Sequence, residues 1–175
     1  MKQISKLKYV DTAVTFSEGP NEVSLCINIS NCPFECKGCH SAYLQKDTGD
    51  PLTMEVLDDL VKRNQGITCV CFMGGDSNIY ELVRLFRYMK VTYPELKLGW
   101  YSGGYQSYHN LYIEGMTHAF LDYVKYGGYE EEFGPLDNEN TNQRFYKITW
   151  DEGCAHMECM NWWFQDKTKS QTKTA

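Results

Sequence analysis

Cys32, Cys36 and Cys39 lie in the stretch Asn-Cys-Pro-Phe-Glu-Cys-Lys-Gly-Cys-His-Ser at residues 31–41, with three residues between the first pair and two between the second. A short loop with this spacing has enough slack for each thiolate to reach a different corner of a cube of iron and sulfide. Three ligands for four irons leave one iron open to a small molecule, whereas four cysteines close the site and suit it to passing electrons. Two other readings use the same residues. One is a zinc site completed by His40 or a distant side chain, although His40 directly follows Cys39, which makes joint ligation of one tetrahedral ion awkward. The other is a disulfide with one thiol left over.

A second stretch, Gly74-Gly75-Asp76-Ser77-Asn78, follows a continuous apolar run at residues 67–73. Paired glycines let the backbone approach a ligand closely. Taken alone, the stretch is equally an ordinary strand-to-helix loop with Asp76 or Ser77 as the helix cap. Near the C-terminus, Cys154, His156 and Cys159 could bind a second metal, with packing of Trp150, Trp162 and Trp163 around small thiols as the alternative. Cys69 and Cys71 are two apart in an apolar run and read as core. His109 and His118 show no partner in the sequence and read as surface or loop residues.

The elements that must position these groups follow from periodicity. Two strands are expected at residues 8–16 and 22–29, joined by a Ser-Glu-Gly-Pro-Asn turn. Thr53 can cap a helix running to about Asn64, with Met54, Leu57, Leu60 and Val61 on one stripe. The run at residues 67–73 suits a parallel strand covered on both faces. A second amphipathic helix is expected from Ile79 to about Thr92, with Leu82, Leu85, Phe86 and Met89 inward and Pro94 beyond its end. Further strands fall at residues 96–101 and 121–126, each meeting glycines, and a last one at residues 144–149. Strand, glycine turn and helix recur at the interval of βα units, which predicts an α/β fold with a mostly parallel sheet and helices outside. Ligands gather at the C-terminal ends of such strands.

The whole chain bounds the answer further. Its 175 residues suit a single domain, expected over residues 1–165, with a polar, disordered tail at residues 166–175. A net charge of −6 with no basic patch argues against nucleic acid as a partner. Lys2, Lys6 and Lys8 have no signal-peptide apolar core behind them, and no stretch is long enough to span a bilayer, so the expected location is the cytoplasm without membrane attachment. There the eight cysteines are expected to be reduced.

The three-cysteine loop together with the Gly74-Gly75-Asp76 turn resembles the radical S-adenosylmethionine superfamily. The resemblance implies an incomplete (βα) barrel of mostly parallel strands with outer helices. It also implies one 4Fe-4S cluster held by Cys32, Cys36 and Cys39, which are catalytic through the cluster, and S-adenosyl-L-methionine chelated at the unligated iron through its amino and carboxylate groups. The reduced cluster then passes one electron into the sulfonium and yields methionine and a 5'-deoxyadenosyl radical. This needs a donor at the low end of the roughly −700 to +450 mV that such clusters span. On the same resemblance, Gly74 and Gly75 border the methionine part and Asp76 takes its ammonium. Gly38 and His40 are expected to adjoin the adenine; Ser102, at a strand end, could add a hydrogen bond to the ligand, and Lys125 or Arg144 could meet the carboxylate, since a buried anion wants a cation, with a surface charge as the alternative for either.

The short chain, the stretch Thr141-Asn142-Gln143-Arg144 and residues 122–128 narrow the likeness. They resemble the activating protein of the anaerobic, class III ribonucleotide reductase, from about Val10 to Ile148. That family puts a glycyl radical on the large reductase subunit and draws its electron from a flavodoxin or ferredoxin-type donor. The chain departs from the pattern at Lys37-Gly38-Cys39-His40, which lacks an aromatic residue before the last cysteine and has His40 where a tyrosine commonly follows. An activase for another glycyl-radical enzyme, such as pyruvate formate-lyase, is the second enzymatic reading. A non-catalytic, zinc-stabilised binding module is the third.

Overall fold

A computed structural model of the chain describes residues 7–104, 115 and 117–165. Its strands are β1 (Lys8–Thr15), β2 (Ser24–Ile29), β3 (Asp50–Pro51), β4 (Cys69–Met73), β5 (Lys97–Tyr101), β6 (Tyr123–Tyr126), β7 (Arg144–Asp151) and β8 (Cys154–Cys159). Its α-helices include α1 (Met54–Arg63), α2 (Ile79–Thr92) and α3 (Asn161–Gln165). The eight strands form one sheet in the order β3-β1-β2-β4-β5-β6-β7-β8. Parallel pairing is confined to the four central strands, β2, β4, β5 and β6. The hairpins β1–β2 and β7–β8 close the flanks with antiparallel pairs, as does β6–β7.

Alternation along the central strands divides the core in two. Leu25, Ile27, Val70, Phe72, Leu98, Trp100 and Val124 pack with Leu57, Leu60, Leu82, Leu85, Phe86 and Met89 of α1 and α2. Cys26, Cys69, Cys71, Tyr123 and Phe145 form a second cluster with Met160, and Met73, Tyr101, Leu136 and Phe164 pack against it. Burial on both faces is why β4 reads as an unbroken apolar run. Phe72 is fully buried and meets Phe86 edge-on at 5.0 Å, so truncating it to alanine would cost about 3–5 kcal/mol.

The helices begin where side chains can satisfy their free amides. Thr53 Oγ1 accepts from the Val56 N–H at 3.3 Å, and Asn78 Oδ1 accepts from the Glu81 N–H at 3.3 Å. The cap of α2 is thus Asn78, and neither Asp76 nor Ser77 has that duty. The hydroxyls of Tyr88 and Tyr93 both donate to Asp58 Oδ1, at 2.8 and 2.9 Å, and tie α2 to α1.

Three expectations need correction. β8 and α3 lie where no element was expected, because a six-residue edge strand with no burial contrast gives little periodic signal. Cys154 and His156 face one side of β8 and Cys159 the other, so strand geometry separates the three. Cys154 and Cys159 are exposed, as are Trp150 and Trp162 at 48% and 50%, and of the three tryptophans Trp163 alone is buried, so they do not pack around the thiols. His118 is buried, with Nε2 at 2.7 Å from the Tyr126 hydroxyl, which no local pattern announces. His109 and residues 166–175 lie outside the described residues. Among the described residues no helix is long and apolar enough to cross a membrane.

At the N-terminal ends of the parallel strands, Glu22 is only 5% exposed. Its carboxylate accepts from Lys97 Nζ, from Thr68 Oγ1 at 2.6 Å and from the Tyr123 hydroxyl at 3.0 Å. Burial alone would raise its pKa, but the hydrogen bonds from Lys97, Thr68 and Tyr123 outweigh it and hold the carboxyl below its ordinary value. A carboxyl with a lowered folded pKa stabilises above the unfolded value and loses that contribution as pH falls through the folded value. Glu22→Ala is therefore expected to lower the unfolding free energy by about 2–3 kcal/mol at neutral pH. In urea titrations the gap from wild type should close as pH drops below about 4.

Candidate metal centre

The cysteine loop begins as β2 ends. Asn31, at φ 61°, turns the chain out of the strand, and the Asn31 and Cys32 amides donate to the carbonyls of Lys46 and Leu44 at 3.2 and 3.0 Å. Leu44, buried on the 3-10 turn Ala42–Gln45, anchors the return. Inside the loop, Cys39 N–H donates to Cys36 O and Ala42 N–H to Cys39 O, both at 3.2 Å. Gly38 at φ +75° permits the tight Cys36–Cys39 turn. Cys32, Cys36 and Cys39 are free thiols of intermediate burial.

The loop rests on the C-terminal ends of β5 and β6. The Phe34 ring occupies the place of a missing side chain at Gly103, where an added Cβ would lie 2.3 Å from the ring. The Cys36 sulfur does the same at Gly128, where an added Cβ would lie 2.9 Å away. Tyr129 adjoins Gly38, and Lys37 pairs with Glu131 at 4.0 Å on the surface. The Thr141–Arg144 stretch supports this floor: Asn142 Nδ2 donates to the Gly128 carbonyl at 3.0 Å and to Glu130 Oε1 at 2.8 Å.

Beside the loop, Gly74 and Gly75 take φ of +98° and +94°, and the Gly74 N–H donates to Tyr101 O at 2.9 Å. The turn delivers Asp76, whose Oδ1 accepts from the Ser102 hydroxyl and whose Oδ2 accepts from the Gly103 N–H at 3.4 Å. Ser102 Oγ also accepts from the Gly104 N–H at 3.0 Å, so this hydroxyl orients Asp76. Lys125 is buried on β6, and its ammonium donates to Gly127 O at 2.6 Å and Ser102 O at 3.4 Å. Arg144 is exposed, and its guanidinium donates to the carbonyls of Thr141 and Gln143 at 2.5 and 2.8 Å. His40 and Gly38 are exposed on the loop.

The charges at the strand ends act on one another. Burial pushes the Cys32 thiol up, and Asp76, Cys36 and Cys39 push it further. Burial draws Lys125 down to about 8, while Asp76 and the same three cysteines pull it back. Asp76 and the three cysteine sulfurs therefore converge on one buried ammonium, and a metal core that takes the sulfurs as thiolates would favour its charged form. The donor set also fits such a core, because three thiols on one loop are what a cluster with an open iron requires. Among the described residues no group of three or more His, Cys, Asp or Glu side chains is arranged to hold a metal ion. Cys32, Cys36 and Cys39 would each hold a different iron of a four-iron cube, which would supply one-electron chemistry when bound.

Phe34, Gly103, Gly128 and Asn142 escaped the sequence reading as site residues. The glycines after β5 and β6 were visible, but their meaning lies in what rests on them, which is a long-range contact. Gly128→Ala is expected to push the Cys36 sulfur aside. Its iron and sulfide content after anaerobic reconstitution should fall to less than half of wild type, with an unchanged far-ultraviolet circular dichroism spectrum.

Searches among curated proteins and among solved structures found no match. Residues 18–131 match the family model described as a 4Fe-4S single cluster domain, a span that holds the cysteine loop, the glycine turn and the ends of β5 and β6. With more than half of its residues matched, the chain belongs to the 4Fe-4S single cluster domain family and is an iron-sulfur protein.

Proposed function

We propose that the chain is a radical S-adenosylmethionine activating enzyme that installs a glycyl radical on the large subunit of an anaerobic ribonucleotide reductase. The observation that carries this reading is the meeting of the three-cysteine loop with Asp76 and Lys125 at the C-terminal ends of neighbouring strands. In this reading Cys32, Cys36 and Cys39 hold one 4Fe-4S cluster. When bound, the cluster supplies the electron that cleaves the sulfonium of S-adenosyl-L-methionine, and the resulting 5'-deoxyadenosyl radical takes a hydrogen atom from a glycine Cα of the partner. The central parallel strands serve as the wall of an incomplete barrel, open on one side to admit the partner's glycine-bearing loop.

The chain's own residues then bind and orient. A zwitterionic amino-acid end needs an anion and a cation a short distance apart, and Asp76 and Lys125 are such a pair. Lys125 suits the carboxylate better than Arg144, because it is buried beside the thiols while Arg144 is exposed on two loop carbonyls. Gly74 and Gly75, at positive φ and with the place of a Cβ taken by Ile29 and Leu82, form the tight turn that brings Asp76 to the strand ends. Ser102 acts on the ligand through Asp76. Gly38 and His40 lie on the exposed rim, where an adenine would leave the strand ends. The electron comes from a flavodoxin or ferredoxin-type protein.

The test is anaerobic reconstitution with iron and sulfide, reduction with dithionite, and measurement of methionine and 5'-deoxyadenosine. Wild type is expected to form both and Cys36→Ala to lose at least a hundredfold of the activity. Retained cleavage in Cys36→Ala defeats the reading. Incubation with the reductase subunit or with pyruvate formate-lyase, followed by electron paramagnetic resonance, identifies the partner. A glycyl signal on the reductase supports the assignment, and a signal only on the lyase replaces it with the second activase. Zinc without iron or sulfide would point to the binding module.

A further inference from the structure

Trp100 lies on the helix-facing side of β5, fully buried between Phe86, at 6.1 Å between ring centroids, and Tyr126, at 6.2 Å. Its ring belongs to the core, yet its one polar atom does not. Nε1–H donates to the carbonyl of Gly74 at 3.0 Å. The same glycine gives its N–H to the Tyr101 carbonyl at 2.9 Å. Just beyond the C-terminal end of β5, the Ser102 hydroxyl and the Gly103 N–H hold the Asp76 carboxylate. Both ends of the Gly74-Gly75-Asp76 turn are therefore fastened to one stretch, residues 100–103, at and just beyond the end of β5.

That fastening matters because the two glycines have φ of +98° and +94°. Glycine visits such angles and their negative counterparts with comparable ease, so the turn has little intrinsic preference of its own. Asp76 then stays at one height above the sheet only if the peptide before it is held. A buried indole with its ring locked in the core is a rigid donor for that purpose, and no ligand needs to touch it. We propose that Trp100 is a positioning residue: its indole N–H fixes the Gly74 peptide and so presents Asp76 to the ammonium of the bound amino-acid group.

The inference rests on S-adenosyl-L-methionine being the ligand of this turn. Its test replaces Trp100 with 3-benzothienylalanine, in which sulfur takes the place of the N–H and the shape of the ring is kept; Trp100→Phe is the encoded counterpart. Three quantities are compared with wild type: hydrogen exchange at residues 74–76 in cluster-free protein, iron and sulfide content after reconstitution, and the dissociation constant for S-adenosyl-L-methionine by equilibrium dialysis. Exchange at the turn is expected to rise severalfold and the dissociation constant about tenfold, as for loss of one partner from a buried carbonyl. Cluster content and the cleavage rate at saturating ligand should stay near wild type. Unchanged exchange and affinity overturn the inference, as does a parallel fall in cluster content, affinity and melting temperature, which marks a purely structural tryptophan. If cluster-loaded wild type binds no S-adenosyl-L-methionine, the proposed function fails and takes this inference with it. Binding by wild type with equal binding by the variant overturns the inference alone.

Discussion

The site depends on a close approach between the cysteine loop and two glycines at the ends of β5 and β6. Phe34 lies on Gly103 and the Cys36 sulfur on Gly128, at separations that leave no room for a Cβ. Eleven residues of irregular chain have few hydrogen bonds of their own with which to resist motion, and these contacts set where their sulfurs stand. The floor is itself held: Gly128 by Asn142, and Gly103 through its N–H to Asp76. A shift of either strand end would move the sulfurs and the carboxylate together.

Charge gives the same place its chemical character. A lone ammonium buried as deeply as Lys125 is unfavourable, and so is a group of partly buried thiols beside Asp76. Placed together, each lessens the penalty of the other. Burial keeps the Cys32 thiol protonated, so a metal-sulfide core would bind there with release of its proton. At the opposite end of the parallel strands, Glu22 with Lys97, Thr68 and Tyr123 binds the strand beginnings together without offering an open position. One end of the sheet is thus closed by a satisfied polar cluster, and the other gathers the loop's thiols beside a carboxylate and a buried ammonium.

Much of this was legible in the residues alone. The helix starting at Met54 was readable because the Thr53 cap and 3.6-residue periodicity agree, and the one at residues 79–92 from periodicity, its cap falling on Asn78 and not on Asp76 or Ser77. β4 was readable because sheets covered on both faces leave an unbroken apolar run. The cysteine spacing pointed to iron and sulfide, and the family match places the chain among 4Fe-4S proteins. The flanking hairpin β7–β8 was only half visible, since exposed edge strands carry no contrast between faces. The roles of Gly103, Gly128, Trp100 and Asn142 were hidden for another reason: each acts on a residue far away in the chain. Ser102 was placed at the site by its position at a strand end, but its hydroxyl bonds Asp76, a partner that only the folded chain identifies.

The most direct measurement is iron, zinc and acid-labile sulfide per chain in protein purified without oxygen, for wild type and for the variant with Cys32, Cys36 and Cys39 all changed to alanine. Iron and sulfide in equal amounts, close to one 4Fe-4S cluster per wild-type chain, and neither in the folded variant, are the predicted result. Stoichiometric zinc without sulfide in wild type, or a cluster that survives removal of all three thiols, would contradict it.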